Sequence, residues 1–168
     1  IRDQPRSRGL GDVYKRQVLE IGIGSGLNIP FYNKREINKV YGLDPSAELC
    51  AMAKKTAKDN QIDVNFLVNG AEEIELASNT IDSVLITYTL CSIPNFNDAL
   101  KEIKRVMKSD ANILFCEHGI APDLKIRKWQ NRINPLWSKL FGGCNINRDI
   151  PFILADSGFE VDNLQQMY

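Results

Sequence analysis

The stretch VLEIGIGSGLNIPF, residues 18–31, decides how the rest of the chain is read. It starts as an apolar run of strand type and passes at once into three alternate glycines, Gly22, Gly24 and Gly26. Without Cβ atoms, such a loop can adopt dihedrals closed to other residues and press its peptide groups against a ligand. In an open parallel sheet, ligands bind beyond the carboxyl ends of the strands where strand order reverses, and a loop directly after a first strand lies there. A helix following the loop would add free N–H groups at its start. Three occupants fit this description: a nucleotide, a different adenosine-containing cofactor, or none, the glycines then serving only a tight turn.

The sequence around the loop supports a sheet of that kind. Short apolar runs at 18–23, 40–43, 64–68, 83–87 and 112–116 read as strands covered on both faces. They alternate with longer amphipathic runs, the pattern of a Rossmann-like, doubly wound α/β fold with a mostly parallel sheet. SAELCAMAKKTAKDN (46–60) opens with a Ser46 cap and spaces Leu49, Met52, Ala53 and Ala57 as a helical face. NFNDALKEIKRVMKSD (95–110) sets Phe96, Leu100, Ile103 and Met107 on one stripe, with cations gathering towards the end where the helix dipole favours them. Beyond residue 116 the pattern loosens. One or two short helices, a loop around Gly142 and Gly143, a last helix over 149–156 ended by Gly158, and a sixth strand in FEVDNLQQM (159–167) are expected.

Composition narrows the partners. The 168 residues are 43% apolar and 25% charged, which suits one domain with an ordinary core. Lys plus Arg equals Asp plus Glu at 21 each, so no net field draws the chain onto nucleic acid or an anionic membrane. A small-molecule partner is expected. Cys50, Cys91, Cys116 and Cys144 form no C-x-x-C pair, against a zinc knuckle or dense disulfide framework and in keeping with a reducing, cytoplasmic setting. No apolar run reaches the roughly 20 residues of a membrane span, though peripheral contact with a membrane stays open. Residues 1–17, IRDQPRSRGLGDVYKRQ, are polar and aperiodic and read as a disordered or foreign segment ahead of a domain over 18–168.

The loop itself discriminates between ligands. The dinucleotide fingerprint is G-x-G-x-x-G, and its third glycine falls on Leu27, which disfavours a nicotinamide or flavin cofactor. No G-K-[ST] follows, so a Walker loop is excluded. An adenosine cofactor without a pyrophosphate remains, and S-adenosylmethionine fits that description. An NAD-dependent oxidoreductase and a non-catalytic cofactor-binding fragment stay as the rival readings.

At these residues the chain resembles the class I S-adenosylmethionine-dependent methyltransferases. VLEIGIGSG is similar to their first motif. The resemblance implies that Gly22, Gly24 and Gly26 line the cofactor, with Glu20 acting through water or the loop backbone. VYGLDPS ends in Asp44, which by the same resemblance accepts both ribose hydroxyls, a task suited to a carboxylate with two oxygens. VNGAEEI resembles the adenine-framing loop and implicates Gly70, Ala71 and Glu72, with Gly70 standing where many relatives carry Asp or Asn. IDSVLITYTLCSIPN resembles the fourth strand and its following motif, implicating Thr87, Tyr88 and Thr89. KSDA replaces the usual R-P-G-G type of turn before strand five. FCEHG, WQNRINPLW and GGCNINRDI are like a branch related to thiol, phospholipid and quinone methyltransferases. A family helix before strand one and an antiparallel seventh strand have no counterpart, so the resemblance implies a truncated domain.

Several residues keep two readings. His118, the single histidine, is a catalytic general base or a loop residue ordering a strand end. Cys91 and Cys116 read as small buried hydrophobes, and Cys144 as a loop residue or part of a substrate cavity. Trp129 and Trp137 pack in the core or wall an apolar substrate. Arg148 pairs with a carboxylate such as Asp149 or holds an acidic substrate group. No metal site is expected, and oligomeric state and methyl acceptor are not legible.

Overall fold

β-Branched and aliphatic runs too short for helices form five strands, all paired in parallel, in a computed structural model that describes residues 16–166. They are β1 (Arg16–Ile21), β2 (Ile37–Leu43), β3 (Val64–Leu67), β4 (Ile81–Thr87) and β5 (Met107–Cys116). Their order is β3-β2-β1-β4-β5, so strand order reverses between β1 and β4, immediately beside the glycine loop. β1 starts two residues before the expected strand: Arg16 opposes Ile37, and Gln17 opposes Lys39 while its N–H donates to Asp82 Oδ2 at 2.8 Å. The rest of the N-terminal segment, residues 1–15, lies outside the described residues.

Alternation along the strands supplies two apolar layers. Leu19, Ile21, Val84 and Ile86 face a cluster completed by Leu100 and Ile103 of α2 (Phe96–Val106) and by Ile150 and Leu154 of α4 (Ile150–Asp156). Ile23 and Ile29 meet Ala53 and Ala57 of α1 (Ala47–Asn60) in a second, smaller cluster. Ser46 caps α1 as expected, its Oγ accepting from Leu49 N. The buried face of that helix is Cys50, Ala53 and Ala57, whereas Leu49 and Met52 are exposed. The small residues win because the glycine loop comes close to the helix: a Cβ on Gly26 would lie 2.6 Å from Ile29 Cδ1 and 3.2 Å from Ala53.

Four expectations change. No α-helix follows the glycine loop; turns lead into a short 3-10 segment, Ile29–Phe31, with Pro30 near its start. α2 ends at Val106 with Lys104 and Arg105 in its last turn, as expected, but β5 begins at Met107, so Met107 and Lys108 leave the helix. KSDA (108–111) becomes a bulge instead, with Met107 opposite Ile81 and Asn112 opposite Ser83. The one or two short helices expected beyond residue 116 and before the Gly142–Gly143 loop are a single helix, α3 (Leu124–Leu140), which runs through Pro135. Pro135 removes a single backbone donor there and shifts no element boundary. Residues 159–166 carry no sheet pairing, so the sixth strand does not form among the described residues. A broad concavity of about 1420 Å³ runs along β5 and the 159–166 segment, and no residue of the glycine loop lines it.

Candidate functional site at the strand tips

The carboxyl ends of β1, β2 and β4 converge around the glycine loop. Gly22 N and Ile23 N both donate to Leu43 O, at 2.7 and 3.0 Å, which folds the loop back over the tip of β2. Asp44 follows directly and is 7% exposed. Its Oδ2 accepts from Gly24 N at 3.0 Å and its Oδ1 from Ser46 N at 2.9 Å. Each carboxylate oxygen retains acceptor capacity beyond one such bond, so the group is aimed by the backbone and still able to take further donors.

All three glycines of the loop have left-handed backbone; Gly26 (φ +83°) packs on Ile29 and Ala53, and the other two have different surroundings. Gly22 (φ +70°) lies against Thr89: a Cβ there would overlap the threonine's Oγ1, Cγ2 and Cβ. Gly24 (φ +54°) faces open space, its hypothetical Cβ 4.0 Å from the nearest atom, Gly22 O. Gly24 therefore leaves a clear space beside the Asp44 carboxylate. An adenosine cofactor needs that combination of a bare backbone edge and an acceptor of hydroxyl protons.

Glu20 is 1% exposed at the end of β1. Its oxygens accept from Asn28 Nδ2 at 2.8 Å and Tyr32 Oη at 2.6 Å, so it grips side chains across the loop and not the loop backbone. Asn28 also donates to Thr87 Oγ1 at 3.0 Å, linking the tips of β1 and β4. Burial pushes the Glu20 carboxyl above its ordinary pKa, partly offset by the bonds from Tyr32 and Asn28. Burial and the neighbouring Glu20 raise Tyr32 likewise.

Past β3, Ala71 is buried, and Glu72 Oε1 accepts from Asn95 N at 3.2 Å. A Cβ on Gly70 would stand 2.7 Å from Glu72 Oε2, so Glu72 folds over the space beside Gly70. Past β4, Tyr88 takes φ 51° and is exposed, its ring stacked on His118 with centroids 5.8 Å apart. Thr89 N and Leu90 N donate to Glu117 Oε1 at 2.5 and 2.7 Å. Burial raises the Glu117 pKa against the pull of those N–H groups, of Cys91 N–H and of His118, and its Oε2 is buried without a hydrogen-bond partner. The sequence reading missed Glu117. Its place directly after strand five and before His118 was the available signal.

The remaining candidates are distributed as follows. Cys91 is buried and its thiol pKa is pushed up to about 12 by burial, with Glu117 and Cys144 adding to the shift. Cys116, expected inside, is exposed and donates to Tyr88 Oη at 3.7 Å. His118 Nε2 lies 2.8 Å from Cys144 Sγ. Trp129 is 67% exposed, and Trp137 stacks on Phe141 with centroids 4.1 Å apart, so neither tryptophan packs in the core. Among the described residues, Arg148 pairs with neither Asp149 nor another carboxylate. It donates through Nη1 to Leu90 O and Ile93 O at 2.5 and 2.8 Å and lies over the Phe96 ring, because those loop carbonyls have no strand or helix partner. Burial lowers its pKa.

A parallel sheet whose order reverses beside a glycine loop, with an acidic residue at the tip of the next strand, defines a Rossmann-like class of adenosine-cofactor proteins. Comparison with known proteins narrows the class. Residues 19–115 match the family described as "Methyltransferase domain". The chain is 29% identical over 158 residues to thiol S-methyltransferase TMT1A of Homo sapiens, covering 91% of this chain and 64% of that protein. It is 31% identical over 111 residues to demethylmenaquinone methyltransferase of Bacillus mycoides (strain KBAB4), covering 63% and 47%. In three dimensions it is similar to a SAM-dependent methyltransferase from Aquifex aeolicus, with TM-score 0.68, 23% identity and coverage of 89% and 76%. The chain thus spans 47–64% of the length of these two relatives. It belongs to the methyltransferase-domain family, whose cofactor is S-adenosylmethionine.

Proposed function

We propose that the chain carries the cofactor-binding and part of the acceptor-binding machinery of an S-adenosylmethionine-dependent methyltransferase, acting on a thiol. The observation that carries this reading is the Asp44 carboxylate, fixed by Gly24 N and Ser46 N beside the open face of Gly24. When bound, S-adenosylmethionine supplies an electrophilic methyl group on a sulfonium centre, ready for in-line displacement. Asp44 accepts the ribose hydroxyls in its free lone-pair directions. Gly22 and Gly24 line the cofactor's amino-acid end, with Glu20 bracing that wall through Asn28 and Tyr32. Gly70, Ala71 and Glu72 frame the adenine, and Thr87, Tyr88 and Thr89 close the side facing the acceptor. The protein's task is alignment and exclusion of water, which can lower a barrier by about 7 kcal/mol or more. No strong base is required for that. His118, the candidate base, has its Nε2 against Cys144 Sγ, which favours a holding role over free proton transfer.

The thiol reading takes its support from the relatedness to thiol S-methyltransferase TMT1A over most of the chain. Quinol and phospholipid acceptors are the other choices within the family, and a cytoplasmic setting with peripheral membrane contact suits a lipophilic acceptor. α3 supports that contact: it carries Lys125, Arg127, Lys128, Arg132 and Lys139 and no acidic residue, while Trp129, Leu136 and Leu140 are exposed.

The test is incubation of the protein and S-adenosylmethionine with an alkyl thiol, a demethylmenaquinol and phosphatidylethanolamine in parallel. Mass spectrometry should find the S-methyl thioether and S-adenosylhomocysteine. Retained cofactor binding with no methylated product from any acceptor would point to the non-catalytic fragment. A larger thermal shift from NAD than from S-adenosylhomocysteine would point to the oxidoreductase.

A further inference from the structure

Three soft donor atoms meet beside the acceptor side of the strand tips. Cys91 Sγ comes from the loop after β4, His118 Nε2 from the segment after β5, and Cys144 Sγ from the turn that follows Gly142 and Gly143. All three lie within 4.8 Å of one another. On a tetrahedral zinc, Zn–S bonds of about 2.3 Å and Zn–N bonds of about 2.0 Å set S···S near 3.8 Å and S···N near 3.6 Å. The present separations reach that geometry by movements of about 1 Å.

The three segments are held together by bonds that involve none of the three donors. Asn145 donates to Cys91 O through its backbone N at 2.9 Å and its Nδ2 at 3.1 Å. Gln130 Nε2 bridges Gly119 O and Ile146 O at 3.0 and 2.9 Å. Asn134 Oδ1 accepts from Ile146 N at 2.9 Å. Glu117 accepts from the backbone N–H groups of Thr89 and Leu90, and Arg148 donates to the carbonyls of Leu90 and Ile93 on either side of Cys91. Such scaffolding is what keeps ligands in place around a metal. The donor set is itself selective, since two thiolates and an imidazole suit zinc and reject calcium or magnesium. Charge also balances: a dication with two thiolates is neutral, and the guanidinium of Arg148 offsets the nearby Glu117.

We propose that Cys91, His118 and Cys144 bind one zinc ion in a three-ligand site whose fourth position takes the sulfur of the acceptor. Three protein ligands leave the open position typical of catalytic zinc. A thiol entering there releases its proton to solvent and is held as a thiolate without a dedicated base. The cluster lies on the right side for this, because Thr89, two residues before Cys91, packs against Gly22 of the glycine loop. The metal site stands on the geometry alone, whereas the use of its fourth position rests on the thiol reading of the function.

Cobalt(II) is the probe. The full chain, stripped by a chelator and reduced with a phosphine, is titrated anaerobically with the metal alone and followed by absorption. One equivalent should give a thiolate-to-cobalt charge-transfer band and strong tetrahedral d–d bands, both abolished by one equivalent of zinc(II). Cys144→Ser and His118→Ala should each weaken uptake by more than the roughly 10–100-fold that loss of a mere supporting partner costs. Cys116→Ser should leave uptake unchanged, and circular dichroism should show all three variants folded. Adding an alkyl thiol should shift the d–d bands. Absence of the bands, or their survival in Cys144→Ser, overturns the metal site. So does a Cys91–Cys144 disulfide formed on mild oxidation by a protein that takes up no metal when reduced. Bands that no thiol shifts overturn the acceptor role. Methylated thiol formed by a protein that binds no cobalt overturns this inference and leaves the thiol reading intact.

Discussion

Replacing Gly22 and Gly24 by alanine, one at a time, should separate fold from function within a single loop. Both glycines have positive φ, so either alanine incurs about 1–2 kcal/mol of left-handed strain. The surroundings then differ. At Gly22 the new methyl would overlap the Thr89 side chain and force it off the 2.9 Å bond from its Oγ1 to Thr87 O. Overpacking of that kind costs about 1–3 kcal/mol, giving about 2–5 kcal/mol in all. At Gly24 the methyl enters open space, so the stability loss stays near about 1–2 kcal/mol. That same space is where the cofactor's backbone-facing edge is proposed to lie, so Gly24→Ala should lower affinity for S-adenosylhomocysteine instead. Urea unfolding of the free proteins and isothermal titration at one temperature measure the two effects. For a chain of this size the Gly22 loss corresponds to roughly 5–20 °C in Tm. If Gly24→Ala binds S-adenosylhomocysteine like the wild type and loses as much stability as Gly22→Ala, the reasoning about which glycine faces the ligand is wrong.

Three further outcomes follow from other parts of the molecule. Because burial raises the folded pKa of Glu20, its contribution to stability is fully present below the unfolded value near 4.5 and is lost as pH rises through the raised folded value. Thermal melts across that window should therefore show a steeper decline with pH in the wild type than in Glu20→Gln, and equal slopes would remove Glu20 as a buried titrating group. Arg148→Ala leaves the carbonyls of Leu90 and Ile93 without their charged donor and should destabilise the fold by about 1.5–3 kcal/mol in urea, against a null result if the guanidinium is merely a surface group. Flotation with anionic vesicles should carry the protein at low salt and lose it when Lys125, Arg127 and Lys128 are all changed to Ala, whereas unchanged flotation would argue against α3 as the contact.

The sheet was legible because its strands are apolar runs between polar punctuation, a signal carried by each segment alone. The tip of β2 was legible for the same reason, with Asp44 fixed in place by the end of VYGL and the start of a capped helix. Where the reading went astray, tertiary contacts decided. Leu49 and Met52 fit a helical stripe, yet the close approach of Gly26 to Ala53 leaves room only for small residues on that face. The region of α3 was legible only as one or two short helices, because sequence alone does not show a helix continuing past the one donor that Pro135 lacks. FEVDNLQQM alternates only over its first four residues, and that short alternation specifies a face and supplies no partner edge. The meeting of Cys91, His118 and Cys144 was the least legible, since the residues are separated by 27 and 26 positions and are joined only by the packing of three loops.

Isothermal titration of S-adenosylhomocysteine into the wild type and Asp44→Ala examines the core of the account most directly. One equivalent should bind the wild type, and the variant, shown by circular dichroism to be folded, should bind at least about tenfold more weakly, as loss of a hydrogen bond to a charged group implies. Equal affinity in the two proteins, or no heat from the wild type, would mean that the ribose is not held at the tip of β2.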